Sequence, residues 1–375
     1  MKIPSVKLSF PPEDVSKITG HVTQILQSGM LTLGEFTRSF EKNFSEAVAV
    51  EHSIAVSSGT AALEIALRCI GVKPGDEVVV PTNTFTATAA AVLFAGGKPI
   101  LVDVNRDTMC VDVYNFKKAL TDRTRGIIVV HVGGLICPEI DEIAEICRER
   151  DLFLIEDAAH AHGSLHNGRA AGSFGDVGCY SFYPTKVMTT GEGGMVVTND
   201  EVLADRAKVL RDQGKESFYS NTIVELGNNW RINEISAAIG LVQLERLQER
   251  VRDRNVVAKI YDQGLMRTSS ISSLKIPQGD LCNYYKYIAF LERGINRDRF
   301  KQRLQERGVS ATGEVYWPPL HLQPIYQKLL ANKPGEFPIS EDFCSRMICL
   351  PIYPQLSHEE AQYVVESIVE ALKEM

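Results

Sequence analysis

The chain has 375 residues, of which 44% are hydrophobic and 23% are charged, a composition typical of a globular protein large enough for two domains. Its net charge of -7 and its lack of Lys- or Arg-rich runs argue against a nucleic-acid partner. No apolar stretch is long enough to span a bilayer, and the amino-terminal MKIPSVKLSF lacks the apolar core of a signal peptide. We therefore expect a cytoplasmic protein that binds neither membranes nor nucleic acid.

The eight cysteines are scattered along the chain, and none forms a CxxC pair. A zinc site needs clustered ligands, and Cys344 and Cys349, which lie closest together, have no histidine or second cysteine pair at the required spacing. We therefore expect buried free thiols in a reducing compartment and no metal centre.

From about residue 12 to residue 250, short β-branched runs alternate with longer amphipathic ones. Uninterrupted apolar runs at 78–80, 127–130 and 153–155 predict strands of a sheet that helices cover on both faces. The alternation of strands and helices makes that sheet mostly parallel. A long helical pattern then runs from INEISAAIG to about Asp262.

Beyond that pattern lie YYKYIAFL, a helix around DRFKQRLQERG, the Pro-rich EVYWPPLHLQPIY and a last helix in HEEAQYVVESIVEALKEM. We predict an α/β fold, with a three-layer α/β/α large domain over residues 1–250 and a smaller α+β domain over residues 251–375. No low-complexity linker separates the two, so we expect them to pack tightly.

Parallel sheets bind ligands at the carboxyl ends of their strands, so the residues that follow each strand are the candidates for a site. Five segments follow predicted strands, namely 58–60, 81–85, His131, 157–160 and 181–186. We expect these segments, which are distant in sequence, to converge on one edge of the sheet.

The first of these segments, in SSGTAAL, places small residues at a strand-to-helix junction. The amides of Gly59, Thr60 and Ala61, with the Thr60 hydroxyl, are suited to bind an anion at the start of a helix. The alternative is that Ser58 and Thr60 merely cap that helix. Because GxGxxG and GxxxxGK[ST] are both absent, a phosphate here would not belong to a Rossmann dinucleotide or a P-loop nucleotide.

In LFLIEDAAHAHGS, a buried strand ends in two carboxylates. A buried carboxylate is costly unless it is paired, and a cationic ring nitrogen on a cofactor would be a suitable partner for Asp157. The alternative is that Asp157 caps a following helix. We expect His160, three residues later, to reach the ligand and His162 to be structural.

Lys186, in SFYPTKVMTTGEGG, lies between an aromatic run and a glycine-rich turn, in mostly uncharged surroundings. A desolvated lysine can lose its proton and attack a carbonyl to form a Schiff base. A phosphate-binding turn, an acceptor carboxylate and such a lysine together match the requirements of pyridoxal phosphate.

Five motifs resemble, in order along residues 10–350, the DegT/StrS-type sugar aminotransferases. They are SSGTAAL, EVVVPTNTFTATAAAV, IEDAAHAHGS, SFYPTKVMTTGEGGMVVTND and NNWRINEISAAIGLVQL. Members of that family are pyridoxal-phosphate enzymes with the aspartate aminotransferase fold, fold type I. The resemblance therefore implies both the fold and the cofactor.

The resemblance also implies a role for each matching residue. Lys186 would carry the cofactor as a Schiff base and move protons, and Asp157 would keep its ring nitrogen protonated. The remaining matches are His160 near the phenolic oxygen, Phe85 stacked on the ring, Ser181, Thr60 and the amides of Gly59 and Ala61 at the phosphate, and Asn229 reaching that phosphate from a neighbouring subunit. A homodimer with shared active sites follows from the last of these.

The implied reaction takes an amino group from glutamate or glutamine and gives it to a keto-sugar, usually carried on a nucleoside diphosphate. Tyr316 and His321, in VYWPPLHLQPIY, match residues that face the sugar, although a packed Pro-rich loop explains them equally well. TKVMTTGEGG resembles the enzymes that aminate C-4 of a 4-keto-6-deoxy sugar more than those that act at C-3. Lys186, where a dehydrating branch has histidine, argues against dehydration.

Two other interpretations use the same motifs. The chain could aminate a keto-cyclitol of the aminoglycoside type, because that reaction needs the same cofactor site. It could also be a cofactor-binding regulator that has lost turnover, but a regulator has no need to retain Lys186 as a proton carrier.

Overall fold

The computed structural model describes residues 1–375, and a seven-stranded sheet forms its centre. The strands are β1 His52–Val56, β2 Glu77–Pro81, β3 Lys98–Val102, β4 Thr124–Val130, β5 Phe153–Asp157, β6 Leu165–His166, β7 Arg169–Ala170, β8 Val177–Ser181, β9 Gly194–Thr198, β10 Ile271–Ser273, β11 Tyr287–Leu291 and β12 Met347–Leu350. The α-helices are α1 Pro12–Ser28, α2 Glu35–Val48, α3 Gly59–Ile70, α4 Thr86–Phe94, α5 Val113–Ala119, α6 Ile140–Glu149, α7 Glu201–Arg211, α8 Glu234–Glu245, α9 Leu247–Leu265, α10 Arg297–Glu306, α11 Pro324–Leu330, α12 Pro338–Arg346 and α13 His358–Lys373.

The central sheet has the strand order β1-β9-β8-β5-β4-β2-β3. Strand β9 pairs antiparallel with both β1 and β8, and the other neighbouring pairs are parallel. The apolar runs 78–80, 127–130 and 153–155 lie in β2, β4 and β5, as expected. The prediction of a mostly parallel sheet is therefore confirmed.

Helices cover both faces of this sheet, because successive strand residues point to opposite sides. Val79 belongs to a core that includes residues of α2, α6 and α8, whereas Val78 and Val80 belong to a second core with residues of α3, α4 and α7. Each such valine contributes roughly 1.5–3 kcal/mol by leaving water. The predicted three-layer architecture is confirmed.

A second, antiparallel sheet of β10, β11 and β12 lies in the carboxyl-terminal part, with α9, α10 and α13 packed around a core of its own. Ile3 belongs to this core, and it forms a bridge with Val309, so the first residues of the chain pack here. The division into residues 1–250 and 251–375 stays a prediction, and α9 runs across the predicted boundary.

The long helical pattern up to about Asp262 corresponds to two helices, because α8 and α9 are separated at Arg246 (φ -97°, ψ 1°). The Arg246 guanidinium is bound by Asp14 and Glu13, each at 2.7 Å, at the start of α1. The apolar spacing continues across the break, so the sequence pattern could not show it.

Two global expectations concern the cysteines and membranes. All eight cysteines are buried and unpaired, which confirms the predicted free thiols. No helix combines the length and apolarity that crossing a membrane requires.

Candidate active site

A cavity of about 420 Å³ lies where β5 and β8 end and α3 begins. Its volume is within the usual range for small-molecule sites. Four of the five predicted segments contribute to its wall, namely 58–60, 81–85, 157–160 and 181–186. His131 does not reach it. That side chain is fully buried, its Nδ1 accepts from the Cys137 N–H, and its Nε2 donates to Glu156 at 2.9 Å.

The amino-terminal end of α3 forms one wall of the cavity. Ser58 caps the helix by accepting a hydrogen bond from the Ala61 N–H at 3.1 Å. The predicted set of three anion-binding amides is therefore reduced to two, because Ala61 is already used. The N–H groups of Gly59 and Thr60 have no acceptor in the protein, and both residues line the cavity. A helix terminus with free N–H groups attracts anions.

Two glycines bring this helix terminus close to β8 and β9. A Cβ on Gly59 would lie 2.7 Å from the Ser181 Cβ, and a Cβ on Gly194 would lie 2.3 Å from the Ser58 carbonyl oxygen. Neither position has room for a side chain. The absence of side chains therefore brings the Ser181 hydroxyl next to the free amides.

Replacing Gly59 by alanine is expected to destabilise the cofactor-free protein by about 1–3 kcal/mol, because the new methyl overpacks against Ser181. Urea unfolding measures the change. Gly20→Ala is the control, since Gly20 is exposed within α1 and a Cβ there meets nothing within 4 Å. That change should stabilise by about 0.5–1 kcal/mol through helix propensity. Equal effects of the two changes would contradict the tight packing.

Asp157 ends β5 with its carboxylate buried in the cavity wall. Oδ2 accepts from the Thr88 hydroxyl at 2.8 Å, and Oδ1 accepts from the Ala159 N–H at 3.3 Å. The carboxylate forms no ion pair, and burial raises its pKa above the usual value. No helix follows, because residues 158–164 form turns, so Asp157 is not a helix cap.

Glu156, its neighbour in sequence, lies on the opposite face of the strand and has a structural role that the sequence reasoning missed. Its fully buried carboxylate accepts from the N–H groups of Gly172 at 2.7 Å, Phe174 at 2.6 Å and Gly175 at 2.8 Å. These bonds fasten the turns that lead into β8. Strand alternation could have indicated that only one of the two carboxylates faces the cavity.

Lys186 lies five residues after β8, the strand that neighbours β5 in the sheet. Its Nζ has no hydrogen-bond acceptor and no ion pair within the protein, and it lies 4.7 Å from the centre of the Tyr285 ring. Burial lowers the pKa of Lys186 to about 8, while Asp157 opposes this shift and Lys286 adds to it. A substantial part of the amine is therefore neutral at slightly alkaline pH.

His160 also lines the cavity. Its Nδ1 accepts from the Gly133 N–H at 3.3 Å, which assigns the ring proton to Nε2, 2.9 Å from the Tyr316 hydroxyl. Burial lowers the pKa of His160 well below its usual range, so the ring is neutral. His162 lies outside the cavity against the rings of Tyr180 and Phe182.

The remaining predicted residues divide into two groups. Phe85, Ser181 and Tyr316 line the cavity, and the rings of Phe85 and Tyr316 lie 5.8 Å apart. Asn229 is exposed and lies outside the cavity of its own chain. His321 also lies outside it.

The prediction that His321 faces a substrate is corrected by its contacts. The side chain is fully buried, Nδ1 is 2.7 Å from the Thr82 hydroxyl, and Nε2 is 3.0 Å from Glu341. Because both nitrogens are engaged away from the cavity, His321 holds the Pro-rich loop against β2. The alternative prediction, that these residues belong to a packed Pro-rich loop, is therefore correct for His321. It does not describe Tyr316, which lines the cavity.

Five cavity residues lie outside the residues and segments predicted from the sequence, namely Leu63, Ala87, Val130, Glu192 and Tyr285. Glu192 belongs to the loop that carries Lys186. Tyr285 precedes β11, about 100 residues away in the carboxyl-terminal part, and its hydroxyl lies 3.1 Å from that of Thr185. A tyrosine in NYYKY carries no signal by itself, because such runs usually belong to a core.

Pyridoxal phosphate fits the groups that the chain leaves without partners around this cavity. The free N–H groups of Gly59 and Thr60 suit an anionic phosphate. The Asp157 carboxylate, which has no ion pair, suits a cationic ring nitrogen, and the Lys186 amine, whose pKa is lowered to about 8, suits an aldehyde.

Comparisons with known proteins identify the family to which the chain belongs. Residues 12–369 match the family model of the DegT/DnrJ/EryC1/StrS aminotransferase family. GDP-perosamine synthase of Escherichia coli O157:H7 is 35% identical over 363 residues, covering 96% of this chain and 97% of that protein. Two further relatives are each 33% identical and cover 94% of this chain and 93% of theirs: the dTDP-4-dehydro-2,3,6-trideoxy-D-glucose 4-aminotransferase of Saccharopolyspora spinosa and the dTDP-3-amino-3,4,6-trideoxy-alpha-D-glucose transaminase of Micromonospora megalomicea subsp. nigra.

The fold is also shared with solved structures. The PLP form of Spr1654 from Streptococcus pneumoniae superposes with a TM-score of 0.91 at 27% identity, covering 100% of this chain and 99% of that one. With a family match that spans nearly its whole length, the chain is a member of the DegT/DnrJ/EryC1/StrS aminotransferases, a pyridoxal-phosphate-dependent family of sugar aminotransferases.

Proposed function

We propose that this aminotransferase holds pyridoxal phosphate on Lys186 and moves an amino group from glutamate or glutamine to a nucleotide-linked keto-sugar in amino-sugar biosynthesis. The observation that carries the proposal is that one cavity holds a buried amine without an acceptor and a buried carboxylate without a cation. Either group alone would be costly to bury. Both costs are offset by a cofactor that has a carbonyl and a basic ring nitrogen.

When bound, pyridoxal phosphate supplies the electron sink and the carrier for the amino group. Gly59, Thr60 and Ser181 would bind its phosphate through two N–H groups and a hydroxyl. Asp157, oriented by the Thr88 hydroxyl, would keep a proton on the ring nitrogen. The Nζ of Lys186 would hold the cofactor covalently and would carry a proton to and from the substrate carbon.

His160, Tyr316 and Phe85 complete the pocket. The neutral His160 donates from Nε2 to the Tyr316 oxygen, which leaves the Tyr316 proton free to point at a ligand oxygen. Phe85 is half-exposed at the mouth of the cavity, where it can cover a planar ring. These residues orient the ligand and exclude water rather than transfer the amino group.

We further propose that two chains form a homodimer in which Asn229 reaches the phosphate in the partner's cavity. The support is that Asn229 is exposed, lies outside the cavity of its own chain, and matches the family position given to the neighbouring subunit. Mixing Lys186→Ala with an Asn229→Ala variant should restore part of the activity through heterodimers that contain one intact site. No recovery in confirmed heterodimers would contradict the shared arrangement.

For the acceptor we propose C-4 of a nucleotide-linked 4-keto-6-deoxy sugar. The support is the stretch TKVMTTGEGG after β8 and the similarity to a named 4-aminotransferase. Overall identity does not discriminate, because a relative named for a 3-amino product is equally similar. The acceptor therefore has to be identified by assay.

The proposed function is tested in two half-reactions. Glutamate and glutamine, but not an amine without an α-hydrogen, should convert the visible absorbance of the bound cofactor into that of its amino form. The aminated enzyme should then pass the nitrogen to a nucleotide-linked 4-keto sugar faster than to a 3-keto sugar or a keto-cyclitol. Absorbance that resists every amino donor would contradict the proposal and favour a regulator. Preference for the cyclitol would overturn only the acceptor.

A further inference from the structure

Two lysine ammonium groups share one aromatic ring beside the cavity. The Nζ atoms of Lys186 and Lys286 lie 4.7 Å and 5.2 Å from the centre of the Tyr285 ring. Neither Nζ has a hydrogen-bond acceptor or an ion pair in the protein. Placing two cations at one ring, without an anion between them, is electrostatically unfavourable and calls for an explanation.

We propose that Lys286 is a positioning residue that favours the neutral form of the Lys186 amine by holding a second positive charge at the Tyr285 ring. The inference rests on the proposed role of Lys186 as the residue that attaches the cofactor. It assigns a part of the chemistry to a lysine that does not line the cavity.

The backbone and neighbours hold Lys286 in this place. Its N–H donates to the Gly133 carbonyl at 3.1 Å, and a Cβ on Gly313 would lie 2.8 Å from its Nζ. The carboxylate of Glu314, next to Gly313 in sequence, is already paired with Lys301. The charge of Lys286 is therefore not neutralised by an ion pair of its own.

The Tyr285 ring, which both lysines contact, is held in place by its neighbours. Its hydroxyl lies 3.1 Å from that of Thr185, the residue before Lys186, and its ring lies 4.4 Å from the ring of His160. The ring is therefore held from two sides. Both lysine Nζ atoms therefore lie beside a ring whose own position is fixed.

Lys186 also lines a neighbouring cleft whose charged residues are Lys7, Arg246, Arg250, Arg254, Glu249 and Asp253. Of the cations around Lys186, Lys286 is the one whose charge lowers its pKa. Burial lowers the pKa of His162 to about 3 and the pKa of His160 well below its usual range, so both rings are neutral. Asp157 is the buried carboxylate that opposes the effect, and Glu192 is exposed at the cavity rim. Since a lysine must lose its proton before it attacks a carbonyl, Lys286 extends the reactive form of Lys186 to lower pH.

The test measures how fast the cofactor-free protein attaches pyridoxal phosphate at Lys186 as a function of pH. Borohydride traps the attached cofactor, and mass spectrometry locates it. In Lys286→Met, the acid limb of the rate should move up by about one pH unit, so attachment below that limb is about tenfold slower. Lys286→Arg should follow the wild type, because arginine keeps the charge.

Lys275→Met is the matched control, because the Lys275 side chain is exposed and forms no hydrogen bond or ion pair. It should leave the pH limb unchanged. An unmoved limb in Lys286→Met, or a rate that falls equally at every pH, would overturn the inference, since a merely structural role has no reason to shift a titration. If the wild type does not attach the cofactor at Lys186, the proposed function itself fails, and this inference with it.

Discussion

Lys186→Ala is expected to lower amino transfer by at least about 10²- to 10⁴-fold, because the variant loses the only side chain proposed to carry the proton at the reacting carbon. Covalent attachment of the cofactor should be lost completely. The fold should not suffer, since the buried Nζ makes no hydrogen bond and removing a desolvated cation relieves a cost.

The measurements are product formation from glutamate and the keto-sugar, borohydride trapping, and thermal melting. Lys118→Ala is the control, because Lys118 is exposed and unpaired. It should change neither activity nor attachment. Undiminished amino transfer by Lys186→Ala would contradict the mechanism, whereas a melting temperature far below that of the wild type would mean that Lys186 is structural.

Asp157→Asn is expected to reduce turnover by about 10²- to 10³-fold, the usual effect of losing one preorganised electrostatic partner. Asparagine has nearly the same shape and can still accept the Thr88 hydrogen bond, but it cannot hold a proton on the cofactor ring. Burial raises the pKa of Asp157 in the cofactor-free protein, so its ionisation opposes folding, and this cost develops as the pH rises from the ordinary pKa through the raised folded pKa. At neutral pH the cofactor-free variant should therefore be at least as stable as the wild type.

The comparison of turnover with unfolding free energy separates this role from a structural one. Asp112→Asn is the matched control, because Asp112 accepts a hydrogen bond from Asn115 as the cap of α5, outside the cavity. It should leave turnover unchanged. Retained turnover in Asp157→Asn would exclude Asp157 as the partner of the ring nitrogen.

Lys186 and Asp157 could be identified as candidate site residues from the sequence alone. A carboxylate at the end of a buried strand and a lysine in apolar surroundings are both costly in the folded protein, so their presence indicates a function. The apolar strands were equally readable, because a sheet covered on both faces leaves uninterrupted hydrophobic runs. The cap at Ser58 is a local pattern of the same kind.

Other features depend on contacts between distant segments. Arg246 interrupts the long helical pattern because its guanidinium binds acidic residues of α1, and that partner is invisible in the local spacing. His321 resembled a substrate-facing residue, yet Thr82 and Glu341 engage both of its nitrogens. Tyr285 reaches the cavity from another sheet and has no local signature.

The sequence by itself determined the architecture of the central sheet and the chemical groups of the candidate site, because burial periodicity and costly residue types are local properties. Only the tertiary structure decided which of these groups meet. It placed Asp157 in the cavity wall and Glu156 on the opposite face of the strand. It excluded the Ala61 N–H and His321 from the predicted site residues, and it placed Tyr285 and Lys286 beside Lys186. The physical reason is that hydrogen-bond partners, burial and the electrostatic environment of an amine are set by segments about 100 residues apart, whose proximity only the folded chain creates.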